Sequence, residues 1–225
     1  MVVMRRKDAR PDLSVARCVL GVQRFRHMKR HAKPSAFTLI ELLVVISIVA
    51  ILMGLAFPAF QGVQNAAKKT QAKNDLVQIV TAVNAFYTEY GKYPLPAGTT
   101  GDQFIYGPGG TNSKALFDPL RGSDLPAGMN PRQIEFLKLA DAKDATKPRA
   151  GVGADGQFYD PWGKPYAVAI DADYDNQVPN PYSSHAGATP KLRAGIIAWS
   201  LGKDLAGGSG DKNTGQGKDD VISWQ

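Results

Sequence analysis

Hydrophobic and polar positions along the chain change pattern three times. Residues 37–57, FTLIELLVVISIVAILMGLAF, are a 21-residue run in which Glu41 is the one charge. At about 1.5 Å per residue the run makes roughly 30 Å of helix, the thickness of a bilayer's hydrocarbon core. The apolar region of a secretory signal is shorter, about 7–15 residues, and ends at a small-residue cleavage site. Here Pro58 and Phe60 follow instead. The pattern predicts one membrane span, residues 37–58. Basic side chains precede it and the first after it is Lys68, which predicts a cytoplasmic N-terminus.

The second pattern is amphipathic. Leu76, Ile79, Val80, Val83, Phe86, Tyr87 and Tyr90 recur at i, i+3, i+4, i+7 spacing, with Lys68, Lys69, Lys73 and Asp75 largely between them. They predict that the helix continues over residues 59–91, with Gly54 and Pro58 as kink points and Gly91 as its stop, before Pro94 and Pro96. A globular head offers this stripe a nearer surface than a coiled-coil partner. The third pattern is weaker. Glycine- and proline-rich loops (107–110 and 125–131) surround one expected helix at 131–140, whose Ile134, Leu137 and Leu139 face the head. Strand-like runs at 166–170, 194–200 and 221–224 predict a small antiparallel sheet. The expected fold is α+β: a long N-terminal helix, membrane span plus amphipathic half, packed on a head at 92–225. No internal repeat is visible.

Charge sharpens this organisation. The 225 residues carry 27 Lys/Arg against 20 Asp/Glu, a formal net of +7. Ten of the basic residues lie in residues 1–36 beside only Asp8 and Asp12, so that arm is +8, and the rest of the chain, with 17 basic and 18 acidic side chains, is −1. The body is not a basic surface, and no nucleic-acid partner is expected. The single cysteine, Cys18, lies in the same arm, so the body has neither an internal disulfide nor a thiolate metal site.

Glu41 is the anomaly of the apolar run, because a carboxylate on a membrane helix is costly and needs a partner. A cut before Phe37 would create an α-amino group four residues away. Glu41 then neutralises that amine, in its own chain or a neighbour's, or else snorkels to the interface.

These residues, KPSAFTLIELLVVISIVAILMGLAFPAF, resemble the signal of type IV pilins and type II secretion pseudopilins: a basic leader, a small residue, Phe, then T-L-x-E-L-L-V-V-I. The resemblance implies that a prepilin peptidase cuts between Ala36 and Phe37 and methylates the Phe37 amine, and that Glu41 and Pro58 serve assembly. Ala36 stands where the family usually has Gly. The leader 1–36 is long, and Met28, which opens one of nine residues, MKRHAKPSA, is an alternative start. YGKYPLP (90–96), DPWGKPY (160–166), SLGKD (200–204) and DDVISW (219–224) further resemble the major, G-type pseudopilin. Residues 97–150 fall outside that likeness and read as an insertion. On its own chemistry DPWGKPY is a tight turn anchored by its indole, architecture rather than a site.

Residues 200–220 combine six glycines with Asp204, Asp211, Asp219 and Asp220. Carboxylates and inward-turned carbonyls suit calcium, which takes six to eight oxygens; a solvated loop is the competing reading. The resemblance favours structural Ca²⁺, with Asp204 and Asp219 or Asp220 as side-chain ligands and the Leu201 carbonyl as a backbone donor. Asp211 and the Ser209 carbonyl are further candidates that the length of this loop sets apart. DADYDN (171–176) imitates the start of a calcium-binding helix–loop–helix but lacks its glycine and its closing Glu, and reads as a polar strand-to-turn exit. His185 reads as a loop residue. Gly151-x-Gly153-x-x-Gly156 follows polar sequence rather than a strand, so no phosphate cradle is expected. With no catalytic constellation, no enzyme activity is expected.

The implied function is that of a major pseudopilin. It is an inner-membrane, single-pass subunit with a periplasmic head, which polymerises with itself and other pseudopilins on an inner-membrane assembly platform into a periplasmic pseudopilus for protein export. The alternative is a type IV pilin for adhesion, motility or DNA uptake; a third reading is an unrelated membrane-anchored domain.

Overall fold

A 52-residue helix, α1 (Leu39–Tyr90), dominates the structure. The computed structural model describes residues 37–102, 105–123, 128–183, 188–206 and 215–224. The expectations for the leader with Ala36, for His185, and for Ser209 and Asp211 lie outside the described residues. The chain divides into two compact units, Met1–Val49 and Ala50–Gln225.

In the first unit the described residues open α1 with their apolar side chains bare: Leu39 is 88% and Ile40 70% exposed. By length and composition α1 can cross a membrane. The Ser47 hydroxyl donates to the Leu43 carbonyl one turn earlier (2.7 Å), so it needs no partner outside the helix.

In the second unit the rest of α1 buries one stripe. Ala72, Leu76, Ile79, Val83 and Phe86 are fully covered, Val80 and Tyr90 partly so, while Tyr87 stays exposed. Each buried Leu, Ile or Phe contributes about 1.5–3 kcal/mol. The helix stops where expected: Gly91 takes φ +65° and its N–H donates to the Tyr87 carbonyl (2.8 Å), a left-handed cap that a side chain would strain.

Eight short strands follow among the described residues: β1 (Ile105–Tyr106), β2 (Gly151–Val152), β3 (Phe158–Tyr159), β4 (Ala167–Ile170), β5 (Val178–Pro179), β6 (Lys191–Leu192), β7 (Ile196–Ser200) and β8 (Val221–Ile222). Four of them form an antiparallel sheet in the order β1-β4-β7-β8, with Val168 opposite Ala198 and Trp199 opposite Ile222. The two-residue period of β4 and β7 splits their side chains between two cores. Val168, Ile170, Ile196 and Ala198 pack with the α1 stripe; Ala167, Ala169, Ile197 and Trp199 pack with Val178, Tyr182 and Leu192 beyond the other face. This is the expected α+β architecture, and its three main strands lie within the predicted runs.

The short helix is not where the pattern put it. Residues 131–140 are turns and irregular chain, and the helix is α2 (Lys114–Leu120), whose Leu116, Phe117 and Leu120 are fully buried. Tertiary pinning decides this. Buried Asn130 donates to the Pro119 carbonyl (2.7 Å) and the Ile134 carbonyl (2.8 Å), and the N–H groups of Phe136 and Leu137 both donate to the Leu120 carbonyl (2.9 Å). Residues 130–137 thus close the end of α2, and Gln133, at φ +51°, has left the helical region. Leu137 is buried as expected, with Leu139 packed beside it.

Candidate functional site

Two groups of residues singled out in the sequence have a defined geometry. At the start of α1, Glu41 faces the residue that opens the helix. The Thr38 N–H (3.0 Å) and Thr38 hydroxyl (2.9 Å) both donate to Glu41 Oε2, and the Glu41 N–H donates back to Thr38 Oγ1 (3.3 Å). Thr38-Leu-Ile-Glu41 is therefore a capping box, which satisfies orphan donors of the first turn and sets a carboxylate on the positive end of the helix dipole. The T-x-x-E spacing announced this cap, which the readings of Glu41 as an amine's partner or as a snorkelling carboxylate both missed. Phe37 is 72% exposed beside it. Pro58 lies within α1, and its side chain is not among those described.

The second group gathers at the C-terminal loop. One oxygen each from Asp204, Asp219 and Asp220 lies within 4.8 Å of the others. Asp204 is exposed, Asp219 half-buried and Asp220 buried, where Asp220 Oδ2 accepts from the Tyr182 hydroxyl (2.6 Å). Burial, followed by the Asp220 hydrogen bond and charge, pushes that phenol far above its ordinary value. The Lys203 and Asp204 N–H groups donate to Asp219 Oδ2, the latter at 2.9 Å, and so tie the two ends of the loop together. Gly202 makes the closure possible. It sits at φ +67°, and a Cβ there would stand 2.5 Å from the Asp219 carbonyl oxygen. Leu201 is buried in the second core. Three converging carboxylates repel one another, and hard oxygen donors are the kind that calcium takes.

Residues 32–57 match the family model described as the prokaryotic N-terminal methylation motif. At its N-terminal end the chain is type IV pilin-like. It is similar to the "Type IV major pilin protein PilA" of Myxococcus xanthus (strain DK1622), 38% identical over 74 residues, which are 33% of this chain and 31% of that protein. It is also similar to the "Type IV major alpha-pilin" of Moraxella bovis, 42% identical over 59 residues, 26% of this chain and 36% of that protein. The chain thus spans only 31% and 36% of the lengths of these relatives. No solved structure matches. The pilin-like part carries the apolar run, the cap and a helix able to cross a membrane, the attributes of a single-pass membrane-anchored protein.

Other singled-out segments take defined turn geometries. In DPWGKPY, Asp160 Oδ1 accepts the N–H groups of Trp162 (2.9 Å), Gly163 (2.7 Å) and Lys164 (2.9 Å), while Oδ2 accepts the Ser200 hydroxyl (2.6 Å). The indole of Trp162 is buried in the main core, as the turn reading requires. Gly153 and Gly156 form the tight turn joining β2 to β3, with Gly153 N–H on the Gln157 carbonyl (2.9 Å), so no helix follows to receive a phosphate. DADYDN leaves β4 as a polar turn, with Tyr174 and Asn176 at positive φ.

Proposed function

We propose that the chain is the major pseudopilin of a type II secretion system, cut between Ala36 and Phe37 and methylated at Phe37. The methylation motif over residues 32–57 supports processing, and the acidic loop, in a body without cysteine, supports the pseudopilin over other pilins. Each step follows from the residues. The bare apolar side chains of residues 37–57 sit in lipid before assembly and against neighbouring helices after it. Glu41, preorganised by its own Thr38, is held at the helix end where a neighbour's Phe37 amine docks. There the pair leaves water together, and neither charge enters the fibre core alone. Asp204, Asp219, Asp220 and the Leu201 carbonyl would hold a calcium ion, which supplies positive charge to a carboxylate cluster and so closes the C-terminal loop. The subunit is structural rather than enzymatic. Its partners are copies of itself, other pseudopilins, the inner-membrane platform and the prepilin peptidase, and its head is periplasmic.

Deletion of the chain in its host tests this reading. The expected result is retention of folded exoproteins in the periplasm with surface motility and adhesion unchanged. Loss of motility with normal secretion overturns it and leaves the second reading, a type IV pilin, which is favoured by the two relatives' being pilins.

A further inference from the structure

We propose that Asp102, Asp171, Asp173 and Asp175 form a second cation site, separate from the C-terminal loop, which takes calcium in competition with the Lys191 ammonium. The sheet assembles it. Ile105 pairs with Ala169 across β1 and β4, and this antiparallel register sets Asp102, three residues before Ile105, on the side of Asp171, two residues after Ala169. Asp102 and Asp171, far apart in sequence, are thereby brought together. The turn after β4 then folds back through the left-handed residues Tyr174 and Asn176, with the Asn176 N–H on Asp171 Oδ2 (2.7 Å). One oxygen from each of the four carboxylates lies within 4.8 Å of the others. Oxygens that share one calcium at about 2.3–2.6 Å stand no more than about 5 Å apart, so the spacing fits one ion.

A cluster of carboxylates alone would mean little on a surface. Here two of them are inside the protein: Asp171 is 2% and Asp102 7% exposed. Asp171 Oδ1 and Asp102 Oδ1 are buried and receive no hydrogen bond from the described residues. A buried acceptor left unmatched costs about 1–3 kcal/mol, more when charged, and native folds keep such atoms where something else answers them. The protein's own answer is partial. Lys191 Nζ reaches Asp102 Oδ2 (2.7 Å) and Asp175 Oδ2 (3.3 Å), one positive charge against four negative. Those two hydrogen bonds raise the Lys191 pKa, that to Asp102 the more. The Lys191 side chain is 45% exposed and can swing to solvent. Asp173 and Asp175 are exposed as well, which leaves the cluster open to an ion. Four carboxylates without His or Cys select a hard cation, and a turn of mixed backbone conformations suits calcium better than the strict octahedron of magnesium. The Tyr174 ring, between the two exposed ligands, stacks on Tyr93 with centroids 5.5 Å apart. It places a sensitiser beside the site.

The test uses the full chain in detergent micelles, titrated with Ca²⁺ by calorimetry and with Tb³⁺ by tyrosine-sensitised emission. In Asp219→Ala, which removes a ligand of the C-terminal loop, one equivalent of Ca²⁺ should still bind and should displace Tb³⁺. Asp171→Asn should abolish that equivalent. Asp173→Asn, altering an exposed side chain and leaving the fold undisturbed, should weaken it by about tenfold or more, the effect of one lost charged ligand. Lys191→Met should tighten it, because the competing ammonium is gone. Absence of any Ca²⁺ equivalent in Asp219→Ala, unchanged binding in Asp173→Asn, or weaker binding in Lys191→Met overturns the proposal. None of these readouts depends on whether the fibre serves secretion or motility.

Discussion

Two loops flank β4, and each buries an aspartate. In the loop leading into the strand, fully buried Asp160 accepts from three backbone N–H groups and from the Ser200 hydroxyl. In the loop leaving it, Asp171 is almost as deeply buried but accepts one N–H, from Asn176, and its Oδ1 receives no hydrogen bond from the described residues. Burial is therefore not what separates them; satisfaction is. A carboxylate whose donors come from its own turn and the neighbouring strand is a structural knot. One that lies among three further carboxylates with lone pairs unmatched is arranged for something that arrives later.

The largest expected effect breaks the satisfied side of this pair. Asp160→Ala orphans the N–H groups of Trp162 and Lys164 and the Ser200 hydroxyl, while the Gly163 N–H keeps the carbonyl of residue 160 (3.1 Å). At about 1–3 kcal/mol for each buried group left unmatched, the loss should exceed about 3 kcal/mol, a large share of a domain's 5–15 kcal/mol. A thermal melt of the full chain in micelles reads it. Without divalent cations, Asp171→Asn should instead cost no more than the roughly 1 kcal/mol of an average substitution. The amide oxygen still accepts from Asn176, and one like charge leaves the cluster. Equal losses at the two positions would end the comparison. Asp160 also carries a pH signature. Burial raises its pKa against the pull of its four donors. The folded chain then binds this proton more tightly than the unfolded one, so stability falls as pH rises from the ordinary carboxylate value through the raised one. Asp160→Asn should flatten that part of the slope. The part from Asp75, raised first by desolvation and in smaller measure by the Asp160 charge, should shrink but persist.

How far each loop was legible in the sequence follows from the same contrast. DPWGKPY could be read as a turn because its donors lie two to four residues from Asp160. The Ser200 contact could not, since it depends on the return of β7 along β4. DADYDN was legible as a turn, but Asp102 joins it only through the register of β1 on β4, which no local spacing encodes. The α1 stripe and Gly91 were readable because helical period and glycine conformation are local. The short helix was misplaced because α2 has Pro119 inside it and weak local signals, while 131–140 looks helical until Asn130 and the Leu120 carbonyl claim its backbone.

Next in size is the C-terminal loop, an intermediate case: Asp219 is partly answered by the N–H groups of Lys203 and Asp204, and Asp204 by that of Ala206 (2.9 Å). If calcium binds only the folded loop, saturation at a hundredfold excess over Kd adds about 2.7 kcal/mol. Chelation should lower the melting temperature accordingly and speed proteolysis between residues 202 and 218. Asp219→Ala should lose this part of the response while keeping the part that belongs to Asp171. A melt indifferent to chelator yet lowered by Asp219→Ala would show that the N–H groups of Lys203 and Asp204 alone close the loop.

The smallest effect on stability belongs to Glu41, whose donors come from Thr38 in the same turn. Loss of such a cap costs about 0.5–2 kcal/mol. Capping and charge separate by substitution. Glu41→Gln keeps an oxygen for the Thr38 N–H, since Gln also closes a capping box, but removes the anion. Glu41→Ala removes both. If Glu41 answers only its own helix, the Gln variant should assemble like the parent and the Ala variant less well. If it pairs with a neighbour's Phe37 amine, both should insert into the membrane normally and both should fail in the fibre. A pairing energy of about 1.4 kcal/mol already lowers the assembled fraction tenfold, and the pair leaves water on docking. Sheared-fibre yield against membrane-inserted subunit measures the difference. Gln assembling at the parental level would make Glu41 a locally satisfied carboxylate like Asp160, and the docking role would have to pass to another residue of the run.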